Sequence, residues 1–171
     1  IAIKCSSKGP VLFKQERVGR HGKTFKIWKF RSMVVNAEAK GMQITTEGDN
    51  RVTKVGKFIR KTKIDELPQL FNVLSGKMSF VGPRPEVPKY VAMYSDEQLR
   101  VLSVKPGITD LASIEFRNEN DLLDGDDDPE RKYIEEIMPA KLELNLKYIE
   151  KADFFYDIGL IFKTIGKVIK E

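Results

Sequence analysis

A chain of 171 residues with 41% hydrophobic content is the size of one domain around one core, and 30 basic against 25 acidic side chains leave it at net +5. That charge suits anionic partners such as nucleotides, lipid phosphates, nucleic acid or an acidic membrane surface, without choosing among them. One cysteine and one histidine exclude an intramolecular disulfide, a zinc cluster and a Cys-His nucleophile, and no apolar run approaches the roughly 20 residues that span a bilayer. No cleavable secretory signal is legible, so a reducing, cytosolic setting is expected.

In chain order, Val11-Leu12-Phe13 and Thr24-Phe25-Lys26-Ile27-Trp28-Lys29-Phe30 are β-branched and aromatic runs. The turn Gly19-Arg20-His21-Gly22 between them predicts a basic β-hairpin. Residues 36 to 50, with Gly41, Gly48, Asp49 and Asn50, predict a short helix start followed by a loop. From Asp65 onward Leu67, Leu70, Phe71 and Leu74 fall at helical spacing, and Gly76 stands at the stop. This predicts an amphipathic helix of about three turns with its N-terminus at Asp65-Glu66 and Pro68 tolerated in the first turn.

A strand-like Met78-Ser79-Phe80-Val81 leads into Gly82-Pro83-Arg84-Pro85-Glu86-Val87-Pro88, where fixed proline φ angles present Arg84 rigidly. Ser95-Asp96-Glu97-Gln98 has capping-box spacing and opens a further helix, closed by Lys105-Pro106-Gly107. Asp121, Asp124, Asp126, Asp127 and Asp128 lack the ligand spacing of a calcium loop and read as a solvated acidic loop. Phe154, Ile158, Ile161, Ile165, Val168 and Ile169 form one stripe, with Lys163, Lys167 and Lys170 largely elsewhere. Such a helix packs on a core or lies on a membrane surface.

Chemistry concentrates at Asp65 and Glu66, about 100° apart on a helix and so suited to two different tasks, attack and metal binding. The structural alternative makes Asp65 an N-cap and Glu66 a partner of the helix dipole. Arg60, Lys61 and Lys63 precede the pair, and Lys29 and Arg31 end the aromatic strand, the neutralisation a diphosphate needs. Guanidinium forks bind phosphate bidentately, which favours Arg31, Arg60 and Arg84 over the lysines. No P-loop or dinucleotide-binding glycine pattern is present.

Five segments in register carry a resemblance: residues 9–19 (Gly9 to Gly19), Trp28-Lys29-Phe30-Arg31-Ser32-Met33, residues 60–70 (Arg60 to Leu70), Ser79-Phe80-Val81-Gly82-Pro83-Arg84-Pro85, and Lys105-Pro106-Gly107-Ile108-Thr109. The chain is similar to the bacterial sugar transferases, the monotopic phosphoglycosyl transferases that start capsule, exopolysaccharide and glycoprotein glycan assembly. The resemblance implies that Asp65 attacks the β-phosphorus of a UDP-sugar, releases UMP, and passes the sugar phosphate to polyprenyl (undecaprenyl) phosphate. It implies Glu66 as a ligand of Mg²⁺, with Lys29, Arg31, Arg60, Pro83, Arg84 and Pro85 shaping the nucleotide and phosphate site. It also implies a place on the cytoplasmic face of the bacterial inner membrane, with a membrane surface as partner and no nucleic acid. The re-entrant membrane segment expected of the family would end just before this sequence begins.

Two features depart from the family pattern: Asp110-Leu111-Ala112-Ser113 stands where a Gly-Leu/Trp-Ala-Gln element is frequent, and an acidic insert surrounds Asp126. A non-catalytic scaffold of the same fold, or a single-strand nucleic-acid binder built around Trp28, are the competing readings. The expected fold is a single α/β (α+β) domain over residues 1 to 171. It has a small β-hairpin or sheet packed by helices, a helix-rich second half and amphipathic, membrane-facing helices.

Overall fold

The computed structural model describes residues 1–37, 45, 48–124 and 126–169, apart from the side chains of Asn120 and Ile169. The architecture is mixed α/β, with short strands packed by helices that dominate the second half. Most of the helix and loop expected over residues 36 to 50, including Gly41, lies outside the described residues, as does Lys170.

A short helix α1 (Ala2–Ser6) precedes strands β1 (Leu12–Val18) and β2 (Thr24–Phe30), which pair antiparallel from Leu12↔Phe30 to Val18↔Thr24. The hairpin and its turn are as expected, and His21 takes the left-handed backbone (φ 58°) that reverses the chain. Phe25 and Ile27 face inward with Met78, while Trp28 lies between the Lys14 ammonium, 4.0 Å from its ring centre, and Phe71 at 5.8 Å.

Helix α2 (Lys54–Lys61) is capped by Thr53, whose hydroxyl accepts from the Gly56 amide at 2.9 Å. Lys63 then adopts φ 56°, ending the run, and Ile64–Glu66 form a single 3₁₀ turn. The long helix expected from Asp65 is therefore corrected to this turn followed by α3 (Gln69–Leu74). The reason is Pro68: it has no N–H for the Ile64 carbonyl, which instead accepts from Leu67 at 3.2 Å, and Pro68 becomes the N-cap.

Helix α3 faces its polar side inward. Gln69 and Asn72 are buried, whereas Leu67, Leu70, Phe71 and Leu74 are exposed, Leu74 by 83%. Asn72 fixes this orientation by accepting from the Trp28 amide at 3.0 Å and donating to the Lys26 carbonyl at 2.9 Å. The amide thus clamps α3 to the hairpin backbone through polar contacts.

Strand β3 (Ser79–Val81) pairs in parallel with β4 (Gly107–Thr109). Between them lie α4 (Pro88–Val91) and a 3₁₀ segment, Gln98–Ser103. Ser95 and Gln98 form the reciprocal capping box, but it opens 3₁₀ turns, not an α-helix. Gly82 (φ 153°) and Gly107 meet backbone to backbone, and a Cβ on Gly82 would sit 2.5 Å from the Lys105 carbonyl oxygen. Only glycine permits this crossing, which seats the loop carrying Arg84.

Helices α5 (Leu111–Glu115), α6 (Glu119–Leu123), α7 (Pro129–Lys132), a π-turn at Tyr133–Ile137 and α8 (Met138–Lys151) follow. The acidic stretch serves helix capping: Asp128 accepts from the Arg131 amide and Asp126 from the Asp128 amide, both at 3.0 Å, and Asp126 pairs with Lys132. Val87, Tyr90, Val101, Leu123, Tyr133, Ile137, Met138 and Leu142 build the main core. Helix α9 (Phe154–Ile169) packs through Leu160 and Ile161 and leaves Phe154, Phe155, Ile158, Phe162 and Ile165 exposed. The expected packing on the core is thus made through part of the helix, while much of the apolar stripe stays exposed. No described helix is long and apolar enough to cross a membrane.

Candidate active site

The 3₁₀ turn after α2 delivers Asp65 and Glu66 beneath the end of β2 and the Pro83-Arg84-Pro85 loop. Glu66 is 12% exposed and is clamped by two cations. Lys29 Nζ donates to Oε1 at 2.9 Å, and Arg84 reaches the same carboxylate through both terminal nitrogens, Nη2 on Oε1 and Nη1 on Oε2 at 3.3 Å. Burial favours the neutral acid, but Arg84 and Lys29 outweigh it and hold Glu66 ionised well below the usual carboxylate range. The pair acts back on its partners. Burial pushes Lys29 down to about 8 against the pull of Glu66, and Arg84 is raised further by Glu66.

Asp65 differs from its neighbour. It is 6% exposed, and its Oδ1 is buried without a hydrogen-bond donor. Burial raises its pKa, with Lys29, Arg60 and Lys63 pulling down and Glu66 pushing up. One carboxylate is thus ionised and fixed through Oε1 by two cations, while the other keeps an unpartnered oxygen of heightened basicity among cations. That asymmetry sets the two carboxylates in different electrostatic states. The helix N-terminus invoked for this pair is replaced by side-chain cations, because the 3₁₀ turn is too short to present aligned amides.

Arg84 is held from both sides. Pro83 and Pro85 are buried around it, and its amide donates to Asp110 Oδ2 at 3.1 Å. Asp110, fully buried, also caps α5 by accepting from the Ser113 amide at 2.6 Å. Asp110 appeared in the sequence only as a departure from the family pattern, and its role as the support of Arg84 was not anticipated. Its place just ahead of an apolar helix was the available signal.

A cavity of about 200 Å³ opens beside the pair, and Lys29, Arg60, Pro83, Arg84 and Pro85 all line it. The structure therefore brings together all but one of the expected residues. Arg31 is the exception. It is 5% exposed, and its guanidinium donates to the carbonyls of Lys8 at 2.8 Å, Ser7 at 2.7 Å and Ile3 at 3.2 Å. Those bonds tie the N-terminal segment to the hairpin, and Arg31 is not among the residues lining the cavity.

The donor set fits a magnesium ion. Glu66 Oε2 takes only the 3.3 Å bond from Arg84, and magnesium needs one or two carboxylates when phosphates and water complete its shell. Among the described residues no cluster of three or more acidic, histidine or cysteine side chains offers a protein cage.

A family model described as bacterial sugar transferase matches residues 1–171. Among curated proteins, the UDP-glucose:undecaprenyl-phosphate glucose-1-phosphate transferase of Escherichia coli (strain K12) is 44% identical over 176 residues, covering 98% of this chain and 34% of that protein. The UDP-N-acetylgalactosamine-undecaprenyl-phosphate N-acetylgalactosaminephosphotransferase of Aeromonas hydrophila is 41% identical, over 99% of this chain and 38% of its own length. An uncharacterized sugar transferase of Bacillus subtilis (strain 168), EpsL, is 42% identical over 98% of this chain and 74% of its own. The chain spans about a third of the length of the first of these relatives. With the match running from end to end and the acidic pair set among cations beside the cavity, the chain belongs to the bacterial sugar transferase family.

Proposed function

We propose that this chain transfers a sugar phosphate from a UDP-sugar to undecaprenyl or another polyprenyl phosphate, releasing UMP, at the start of capsule, exopolysaccharide or glycoconjugate assembly. The observation that carries the reading is an unpartnered, buried Asp65 oxygen next to a Glu66 held ionised by Lys29 and Arg84, beside a cavity lined by Lys29, Arg60 and Arg84.

Asp65 Oδ1 attacks the β-phosphorus, forming a carboxylate–phosphorus bond as the bond to the oxygen bridging the two phosphates breaks. UMP departs with that electron pair. A polyprenyl phosphate oxygen then attacks the same phosphorus and expels Asp65, regenerating the carboxylate and giving a polyprenyl diphosphate sugar. Burial raises the basicity of Asp65. Arg60, which reaches the cavity, and Lys29 neutralise phosphate oxygens, while Arg84 is aimed by its flanking prolines and Asp110. Glu66, through the Oε2 that takes only the 3.3 Å bond from Arg84, would hold Mg²⁺, which when bound neutralises charge on the phosphates.

The acceptor is a lipid, and the surface suits one. Phe58, Leu67, Leu70, Phe71 and Leu74 leave an apolar face around the turn that carries Asp65, and α9 exposes Phe155 by 83%. We assign this surface to the cytoplasmic face of the bacterial inner membrane. The test is transfer of label from UDP-[¹⁴C]sugars to undecaprenyl phosphate in bilayer nanodiscs, with and without EDTA. Labelled lipid and stoichiometric UMP that vanish with EDTA are expected. Sugar lipid formed with release of UDP would overturn the reaction assigned.

A further inference from the structure

The cavity extends well beyond its cationic end. Helix α8 turns Met138, Lys141, Leu142 and Asn145 toward it, at i, i+3, i+4 and i+7. Met138 and Leu142 are core residues packed with Tyr133, and Lys141 spends its ammonium on Glu119 Oε2 at 2.6 Å. Asn145 has no such use. It is 5% exposed, and its Oδ1 is buried with no donor. A buried amide oxygen without a partner costs stability, and native chains keep few of them.

We propose that Asn145 reads the uracil edge of the donor nucleotide, an inference that rests on the UDP-sugar assignment above. A ring is needed whose faces tolerate an apolar wall and whose edge carries polar atoms. Uracil meets both conditions: its faces lie against Met138, Leu142 and Tyr133, while its N3–H donates to the Asn145 oxygen and its O4 accepts from the Asn145 amide nitrogen. A hexose does not, because hydroxyls around its ring would face that wall without partners. The two ends of one cavity then divide the donor, with phosphates at Lys29, Arg60 and Arg84 and the base at α8.

Calorimetric titration of the chain with UMP, CMP and inorganic pyrophosphate tests this, using Asn145→Leu and Asn145→Asp, with circular dichroism as the check on folding. Asn145→Leu is expected to weaken UMP at least about tenfold and leave pyrophosphate unchanged. Asn145→Asp keeps the shape but only accepts, so it still takes the uracil N3–H while repelling O4. It likewise takes the cytosine amino group while repelling N3, so the two-bond preference for uracil is reduced to one contact of each kind with either base. The ratio of UMP to CMP affinity should fall at least about tenfold, a change no structural role produces, and this variant decides the matter if the leucine variant misfolds. UMP affinity and base preference unaltered in folded variants would overturn the role of Asn145 alone. Equal losses of UMP and pyrophosphate would overturn it as well. Wild-type protein that binds pyrophosphate but not UMP would overturn the donor assignment together with it.

Discussion

Replacing Glu66 by Gln preserves shape and one acceptor but removes the charge that two cations share. Lys29, Glu66 and Arg84 are 19%, 12% and 33% exposed, so the site is largely withdrawn from solvent. Removing one partner of a buried pair costs about 3–5 kcal/mol, and the exposure of Arg84 places this case near 3 kcal/mol. For a chain of this size about 1 kcal/mol moves the melting temperature by roughly 2–4 °C, so Glu66→Gln should melt about 6–12 °C below wild type. Differential scanning calorimetry measures it. The double variant Glu66→Gln, Arg84→Met should recover part of the loss, since the stranded cation is gone. A Glu66→Gln melt within about 2 °C of wild type would refute the claim that Glu66 balances Lys29 and Arg84.

Two further outcomes follow from the structure. Arg31→Met should cost about 3 kcal/mol, because three carbonyls lose a charged donor, yet leave KM for the donor unchanged. Unchanged stability with a raised KM would return Arg31 to the phosphate site. The Asp49 carboxylate receives Arg51 Nη2 at 2.6 Å and the Arg51 amide at 2.9 Å, and the Arg51 side-chain hydrogen bonds hold its pKa below the ordinary 3.8. The folded pKa lies under the unfolded one, so the stabilisation is complete above 3.8 and lost as pH falls through the folded value. Asp49→Asn should therefore be less stable by about 1–2 kcal/mol in urea at pH 7, with the gap closing as the pH is taken down through that window. A gap independent of pH would contradict this.

What the sequence made legible was local or electrostatically blunt. The hairpin followed from β-branched and aromatic runs around a glycine turn, and the capping box from Ser95 and Gln98 three residues apart. Asp65, Glu66, Lys29, Arg60 and Arg84 were identifiable because charges crowd short motifs. What stayed hidden depended on distant chain. Arg31 finds its carbonyls in residues 3 to 8, and the second oxygen of Asp110 meets the Arg84 amide only because β3 and β4 pair in parallel. The helix expected at Asp65 failed because the missing amide of Pro68 was counted as tolerable when it in fact delays the α-helix to Gln69. Nothing local marks Asn145, an unremarkable helix residue until α8 is laid against the cavity.

If Asp65 carries the sugar phosphate, the adduct is visible on the protein itself. Intact-protein mass spectrometry after incubation with Mg²⁺ and a panel of UDP-sugars, without lipid acceptor, tests it most directly. A mass gain of one sugar phosphate is expected with the true donor, discharged by polyprenyl phosphate and absent in Asp65→Asn, whose fold is unchanged. An Asp65→Asn protein that still gains that mass, or transfers sugar phosphate at the wild-type rate, would contradict it.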